Sequence, residues 1–113
     1  MSPRLDQTFS ALADPTRRAI LARLALGEAT VAELSAPFGV SQPAISRHLK
    51  VLEAAGMIEA GQVAQTRPRR LKPGALDEVE FYVAQLRTLW SDRFDRLDAF
   101  LKDDTKASAG DPR

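Results

Sequence analysis

The side chains best suited to chemistry lie within residues 41–55, and the chemistry they offer is hydrogen bonding and ion pairing to an anion. On a helix, Ile45, Leu49 and Leu52 share one face, which we expect to pack against the rest of the domain. The opposite face holds two cations and small residues, with a hydroxyl at its border: Pro43, Arg47, Lys50, Ala54 and Ser46. Such a face can approach a polyanion such as DNA closely.

The start of this helix adds further groups that suit a nucleic acid. Ser41 is the expected N-cap, and exposed backbone N–H groups at a helix start can bind a phosphate. Gln42 can reach base edges in the major groove. Arg47 can bond bidentately to guanine or bind a phosphate, and the sequence leaves both roles open.

A second short helix precedes this one and positions it. Thr30 and Glu33 form a capping-box pattern that opens a helix over residues 30–36, and a turn containing Gly39 then leads to Ser41. Two short helices joined in this way match a helix-turn-helix. The alternative is an ordinary αα-hairpin whose outer face is only solvated.

The remaining elements are predicted from periodicity and turn residues. Leu5, Phe9 and Leu12 indicate a short first helix, and Asp14 followed by Pro15 marks the start of a second. Residues 57–63 and 67–72 are predicted as two short strands joined at residues 64–66, with Pro68 on an edge. A long amphipathic helix is expected from Leu76 to about Lys102, followed by a disordered tail.

Composition removes several classes of protein. The 113 residues include no Cys and one His, which excludes disulfides, thiolate zinc sites and multi-histidine metal centres. The sequence shows no apolar run long enough for a membrane span and no secretory signal, so we expect a cytoplasmic protein. A Gly-rich phosphate loop and a nucleophile–base pair are also lacking, so an enzyme is not expected.

The charges are distributed unevenly along the chain. The net charge is +1, but residues 1–74 hold ten basic and six acidic side chains, whereas residues 75–113 hold six and nine. A weakly positive middle region suggests an anionic partner, although chance clustering on a solvated surface would look the same.

Two motifs resemble the ArsR/SmtB family of winged helix-turn-helix repressors. Residues 13–21, ADPTRRAIL, look like the second-helix signature of that family, and residues 41–52, SQPAISRHLKVL, look like its recognition helix. The resemblance covers roughly residues 5–102. It implies a mainly α fold with a small β-hairpin, namely five helices plus a two-stranded wing, as one domain over residues 1–103 with a tail over 104–113.

The same resemblance implies a set of DNA contacts and a homodimer. Contacts to the major groove or its phosphates would come from the recognition helix, contacts to the minor groove or backbone from the wing, and further phosphate contacts from helix starts. These residues are Ser41, Gln42, Pro43, Ser46, Arg47, His48 and Lys50; Arg67, Arg69 and Arg70; and Thr16, Arg17, Arg18 and Thr30. Arg17 and Arg18 are equally well explained as solvated or paired with acids of the long helix, and His48 as packed at the helix border with a bond to backbone.

The chain departs from the family pattern in two places. Many relatives sense metals through Cys pairs in the first helix of the motif or through Asp/His sets in the last helix. Here Val31-Ala32-Glu33 holds no thiol, and the last helix holds no His. Soft-metal sensing is therefore not expected, and no metal site or cofactor is predicted. The wing carries Arg67-Pro68-Arg69 where relatives carry an aromatic, apolar strand. This substitution shortens the expected strand and raises the charge of the wing.

The long helix predicts a second copy of the chain as partner. At 1.5 Å per residue it would span about 40 Å, whereas the preceding residues make a globule roughly 30 Å across. One domain therefore cannot cover the whole apolar stripe, unless the helix bends back into its own core. The expected dimer interface is Leu5, Phe9, Leu12, Leu86, Trp90, Phe94, Leu97 and Leu101.

The sequence thus predicts a homodimeric, metal-independent repressor that binds an inverted repeat in double-stranded DNA through helix 41–55 and wing 57–72. The alternative is a protein-interaction module on the same scaffold that binds no DNA. The sequence does not identify an effector, and a small molecule and a protein both stay open.

Overall fold

A computed structural model describes residues 2–61 and 67–109, with side chains up to residue 102. The elements in order are α1 (Pro3–Leu12), α2 (Pro15–Leu24), α3 (Val31–Phe38), α4 (Gln42–Ala54), β1 (Ile58–Ala60), β2 (Arg69–Leu71) and α5 (Asp77–Ala109). Within these ranges the chain has five helices and one antiparallel two-stranded sheet, and this confirms the predicted fold class. The predicted turn at residues 64–66 lies outside the described residues.

The first four helices begin where a side chain can bind their free backbone N–H groups. Ser2, Asp14, Thr30 and Ser41 occupy the N-cap positions of α1 to α4. At α3 the capping box is complete, because the Glu33 carboxylate also accepts the backbone N–H of Thr30 at 2.9 Å. The caps predicted at Asp14, Thr30 and Ser41 are therefore confirmed.

Several element boundaries differ from prediction. Helix α3 continues through Pro37 to Phe38 and ends at Gly39, whose φ of 61° suits glycine, instead of ending at Ala36. A proline in the last turn removes one intrahelical bond without stopping the helix. Both strands are three residues long, shorter than predicted, and Pro68 precedes β2 rather than lying within it.

The hydrophobic core lies between α2, α3, α4 and the sheet. Ile20, Leu34, Ile45, Leu49 and Leu52 have no exposed surface and fill its centre. Helix α1 buries Leu5, Thr8 and Ala11, whereas Phe9 is 36% exposed. Leu5 is therefore covered within its own chain and offers little surface to a second copy, in contrast to Phe9.

The chain divides into two compact units between Val79 and Glu80. The second unit is the body of α5, which reaches Ala109 instead of ending near Lys102. Residues 110–113 of the predicted tail lie outside the described residues. Many large apolar side chains of α5 are exposed, namely Phe81, Val83, Leu89, Trp90, Phe94, Leu97, Phe100 and Leu101.

Candidate nucleic-acid interface

Helix α4 is fixed on one side and open on the other. Its inner face is sealed by Ile45, Leu49 and Leu52, which are fully buried. Its start is fixed by Ser41, whose hydroxyl accepts the backbone N–H of Ala44 at 3.3 Å. A helix held by three buried side chains and a cap presents its outer face in a defined orientation.

The outer face of α4 carries the polar residues that the sequence predicted. Gln42, Pro43, Arg47 and Lys50 are exposed, and Ser46 is half-buried at the border of this face. Within the part of the chain that the structure describes, neither Arg47 nor Lys50 forms an ion pair. Two unpaired cations on one exposed helix face suit binding to a polyanion.

Strand β2 joins the wing to the domain through Arg69. The backbone N–H of Arg69 donates to the carbonyl of Ala29 at 2.8 Å, and the Arg69 carbonyl accepts the Ala29 N–H at 3.0 Å. Its guanidinium Nε lies 3.1 Å from Glu53 Oε1 on α4, and the side chain is largely buried. Arg69 thus connects β2 to α4, and its predicted contact with DNA stays a prediction.

Arg70 also has an acidic partner. It lies opposite Glu59 in the sheet register, and its Nε is 2.8 Å from Glu59 Oε2. The hydrogen bond to Glu59 and the charge of its carboxylate raise the pKa of the Arg70 guanidinium above its ordinary value. Arg67 is exposed, with its backbone at a φ of 37°, and its carbonyl accepts a hydrogen bond from the Arg69 guanidinium.

Arg17 and Arg18 bind the C-terminal end of α1. Arg17 donates to the carbonyls of Ala11 at 2.8 Å and Ser10 at 3.0 Å, and Arg18 donates to that of Leu12 at 2.8 Å. The last carbonyls of a helix lack intrahelical partners, and a cation also interacts favourably with the helix dipole there. Arg18 is exposed, as the solvated alternative expected, whereas the bonds of Arg17 to the end of α1 were not among the alternatives that the sequence left open. The contacts of Arg17 and Arg18 with DNA stay predictions.

His48 lies on the side of α4 that faces α2. Its Nδ1 is 3.4 Å from Arg17 Nη1 and 3.8 Å from Asp14 Oδ2. The Asp14 carboxylate also accepts the backbone N–H of Arg17 at 3.0 Å, and this bond, with a smaller contribution from His48, lowers the pKa of Asp14. The ring is thus placed by side chains of α2 and not by the backbone bond considered from sequence.

The helix-start hydroxyls predicted as phosphate contacts are partly used within the chain. The Thr30 hydroxyl accepts the Glu33 backbone N–H at 3.2 Å. Hydrogen bonds from the Thr30 backbone and side chain lower the pKa of Glu33. Thr16 is half-buried near the start of α2. The contacts of Thr16, Thr30 and Ser41 with DNA stay predictions.

Sequence reasoning missed the roles of Glu53 and Glu59. Both residues were among the six acidic side chains counted in residues 1–74, without assignment to Arg69 and Arg70. The hairpin register would have signalled the second pair, because Glu59 and Arg70 are directly opposed, and opposite charges at such positions attract. Glu53 reaches Arg69 only through the packing of the wing on α4.

The structure offers few candidates for other site types. Among residues 2–61 and 67–102, no group of three or more His, Asp or Glu side chains is placed to hold a metal ion. No helix in the described part of the chain combines the length and apolar character that crossing a membrane requires.

Comparisons with known proteins agree with this architecture. The family model for bacterial regulatory proteins of the arsR family matches residues 14–60. The HTH-type transcriptional regulator Rv2034 of Mycobacterium tuberculosis is 45% identical over 71 residues, which are 63% of this chain and 66% of that protein. The transcriptional repressor SdpR of Bacillus subtilis is 41% identical over 54 residues, which are 48% of this chain and 60% of that protein. The chain thus spans less than two thirds of each of these two relatives.

A solved structure extends the similarity beyond the matched motifs. The crystal structure of an ArsR family transcriptional regulator superposes with a TM-score of 0.72 at 39% sequence identity. The superposition covers 78% of this chain and 97% of that one. The likeness therefore includes most of the fold as well as the helix-turn-helix.

Proposed function

Since the chain belongs to the ArsR family of bacterial regulatory proteins, we propose that it is a DNA-binding transcriptional regulator that acts as a homodimeric repressor in the cytoplasm. The observation that carries this proposal is the geometry of α4, whose inner face is sealed in the core while Arg47 and Lys50 stay exposed and unpaired among the described residues. Such a helix can enter a major groove and bind its phosphates.

The wing supplements α4 in this proposal. Because Arg69 and Arg70 have carboxylate partners, the wing presents less free charge than its sequence suggests. Arg67 is exposed and forms no ion pair among the described residues. We therefore assign the main phosphate and base contacts to α4 and a supporting contact to the wing.

The proposed homodimer rests on exposed apolar surface. Trp90, Phe94, Leu97 and Leu101 on α5 are all more than half exposed, and Phe9 on α1 is also exposed. A series of large apolar side chains at helical spacing is stabilised when a second copy covers it. Two recognition helices then bind half-sites about one DNA turn apart, and the operator is an inverted repeat.

The dimer has a direct test on α5. Trp90→Asp places a charge within the exposed apolar surface, and Ser91→Asp places the same charge on the adjacent residue. In sedimentation experiments, we expect the first variant to be monomeric and the second to stay dimeric. If wild-type protein sediments as a monomer at micromolar concentration, the proposed dimer is wrong.

We propose that the repressor does not sense soft metals, because the sequence offers few of the ligands that these metals prefer. The chain has no Cys and only His48 as an imidazole ligand, whereas soft and borderline metals prefer thiolate and imidazole. We expect DNA affinity to be unchanged by added zinc or by a chelator. A marked loss of binding on zinc addition would contradict this part of the proposal.

DNA binding itself is tested on the DNA upstream of the protein's own gene. Gel shift and footprinting at low salt should show protection of one inverted repeat. The protein concentration at which half of the DNA is bound should rise steeply with salt concentration. If no duplex is protected and heparin does not retain the protein, the protein-interaction alternative replaces the proposed function.

A further inference from the structure

Three side chains join the start of α2 to the middle of α4. Arg17 Nη1 is 3.4 Å from His48 Nδ1, and Asp14 Oδ2 is 3.8 Å from the same nitrogen. His48 is the one imidazole in the chain, and its side chain is 23% exposed. It therefore lies partly at the surface of the helix that we expect to enter the groove.

The chemistry of Arg17 decides which ring nitrogen carries the proton. A guanidinium donates hydrogen bonds and accepts none, so His48 Nδ1 must be the acceptor. In a neutral imidazole the proton is then on Nε2. Asp14 would favour a proton on Nδ1, but 3.8 Å is too long for a hydrogen bond, and its Oδ2 already accepts the Arg17 backbone N–H at 3.0 Å.

The guanidinium of Arg17 is itself held firmly. Its Nε donates to the Ala11 carbonyl at 2.8 Å, and its Nη2 donates to the Ser10 carbonyl at 3.0 Å. These two bonds fix the plane of the group at the end of α1. The third nitrogen, Nη1, is thereby directed to His48 on α4.

From this geometry we propose that Arg17 is a positioning residue that holds His48 as the Nε2–H tautomer, so that Nε2–H donates a hydrogen bond to a DNA phosphate. Within the described residues, Nε2 has no hydrogen-bond partner. The inference rests on the proposed DNA binding. In this proposal the His48 ring is an uncharged hydrogen-bond donor to the phosphate. Such a contact releases no counterion from the DNA, whereas contacts of the charged Arg47 and Lys50 side chains do.

The matched control for Arg17 is its neighbour. Arg18 also donates to a carbonyl at the end of α1, at 2.8 Å from Leu12 O, but no contact joins it to His48 among the described residues. Arg17→Met and Arg18→Met therefore remove the same charge and a similar helix cap. Only the first removes the donor to Nδ1.

Nitrogen NMR of the single histidine tests the positioning in the free protein. Near pH 8, where an ordinary imidazole is neutral, we expect wild type and Arg18→Met to show the Nε2–H tautomer, and Arg17→Met to shift towards a mixture. A wild-type ring protonated on Nδ1, or signals unchanged in Arg17→Met, would overturn the proposal. A role of Arg17 as a helix cap alone would leave these signals where they are.

DNA titrations over a range of salt concentrations test the phosphate contact. We expect His48→Ala to bind operator DNA about tenfold more weakly with an unchanged salt slope, and Arg17→Met to have little further effect in that background. A slope lowered by about 0.9 in His48→Ala would mean a charged imidazolium contact and would refute the neutral donor. If wild type binds no duplex, the proposed function and the phosphate contact both fail, whereas the NMR comparison still decides whether Arg17 orients His48.

Discussion

Helix α4 and strand β2 both carry basic side chains that the sequence predicted to contact DNA, but they hold them differently. On α4, Arg47 and Lys50 are exposed and have no acidic partner among the described residues. On β2, Arg69 and Arg70 lie within 3.1 and 2.8 Å of Glu53 and Glu59. The number of basic residues in a segment therefore does not measure the charge it offers to a phosphate.

The two regions also differ in how they are attached. Helix α4 is anchored by three side chains with no exposed surface, whereas the three-residue β2 is anchored by its pairing with β1, a bridge to Ala29 and the Arg69–Glu53 pair. Buried apolar side chains contribute several kcal/mol between them. The partly buried Arg69–Glu53 pair must offset the cost of removing two charged groups from water, so its net contribution is small. Helix α4 is thus the more firmly anchored of the two elements.

The largest expected effect is on the anchoring of α4. Leu49→Ala should lower the free energy of unfolding by about 2–5 kcal/mol, because it opens a cavity in the core. The matched control, Lys50→Ala on the exposed face, should change it by less than about 0.5 kcal/mol. Urea unfolding of both variants measures the difference, and equal midpoints would mean that α4 is not anchored as described.

The next effect separates the free cations from the paired ones. Arg47→Ala should weaken operator binding by about 1–3 kcal/mol if it binds a base, or lower the salt slope by about 0.9 if it binds one phosphate. Arg70→Ala should have a smaller effect, since its charge already has a partner in Glu59. Salt-dependent titrations of both variants test the ranking, and a larger loss in Arg70→Ala would reverse it.

A smaller effect should follow when Arg70 loses its acidic partner. Glu59→Gln removes the carboxylate beside Arg70, so we expect tighter binding to any duplex and a salt slope steeper by up to about 0.9. Asp6→Asn on α1, which removes the same charge from an exposed residue, should leave the slope unchanged. An unchanged slope in Glu59→Gln would show that Arg70 does not reach DNA.

The smallest effect concerns the caps of the helices that support α4. The pKa of Asp14 is lowered by the Arg17 backbone N–H, so its contribution to stability is present at neutral pH and is lost as the pH falls below about 4. Asp14→Asn keeps the capping geometry without the titrating group. Its unfolding free energy should fall less steeply than that of wild type at acid pH, and parallel curves would contradict this assignment.

Much of the fold could be predicted from local rules. The caps at Asp14, Thr30 and Ser41 were visible in the sequence, because capping depends on residues three positions apart. The buried face of α4 followed from the helical spacing of Ile45, Leu49 and Leu52. These features depend on near neighbours along the chain.

Tertiary structure alone decided the partners of Arg17 and Arg69. Arg17 contacts His48 across 31 positions, and Arg69 contacts Glu53 across 16, distances over which helical periodicity gives no information. It also decided that Leu5 is buried while Phe9 is exposed, because the face of α1 that packs inward depends on the helices beside it. The sequence by itself determined where α2, α3 and α4 begin and which face of α4 is apolar, since these are local properties. The partners of Arg17 and Arg69 were decided by how the helices and the wing pack, since packing brings together groups that are far apart in the chain.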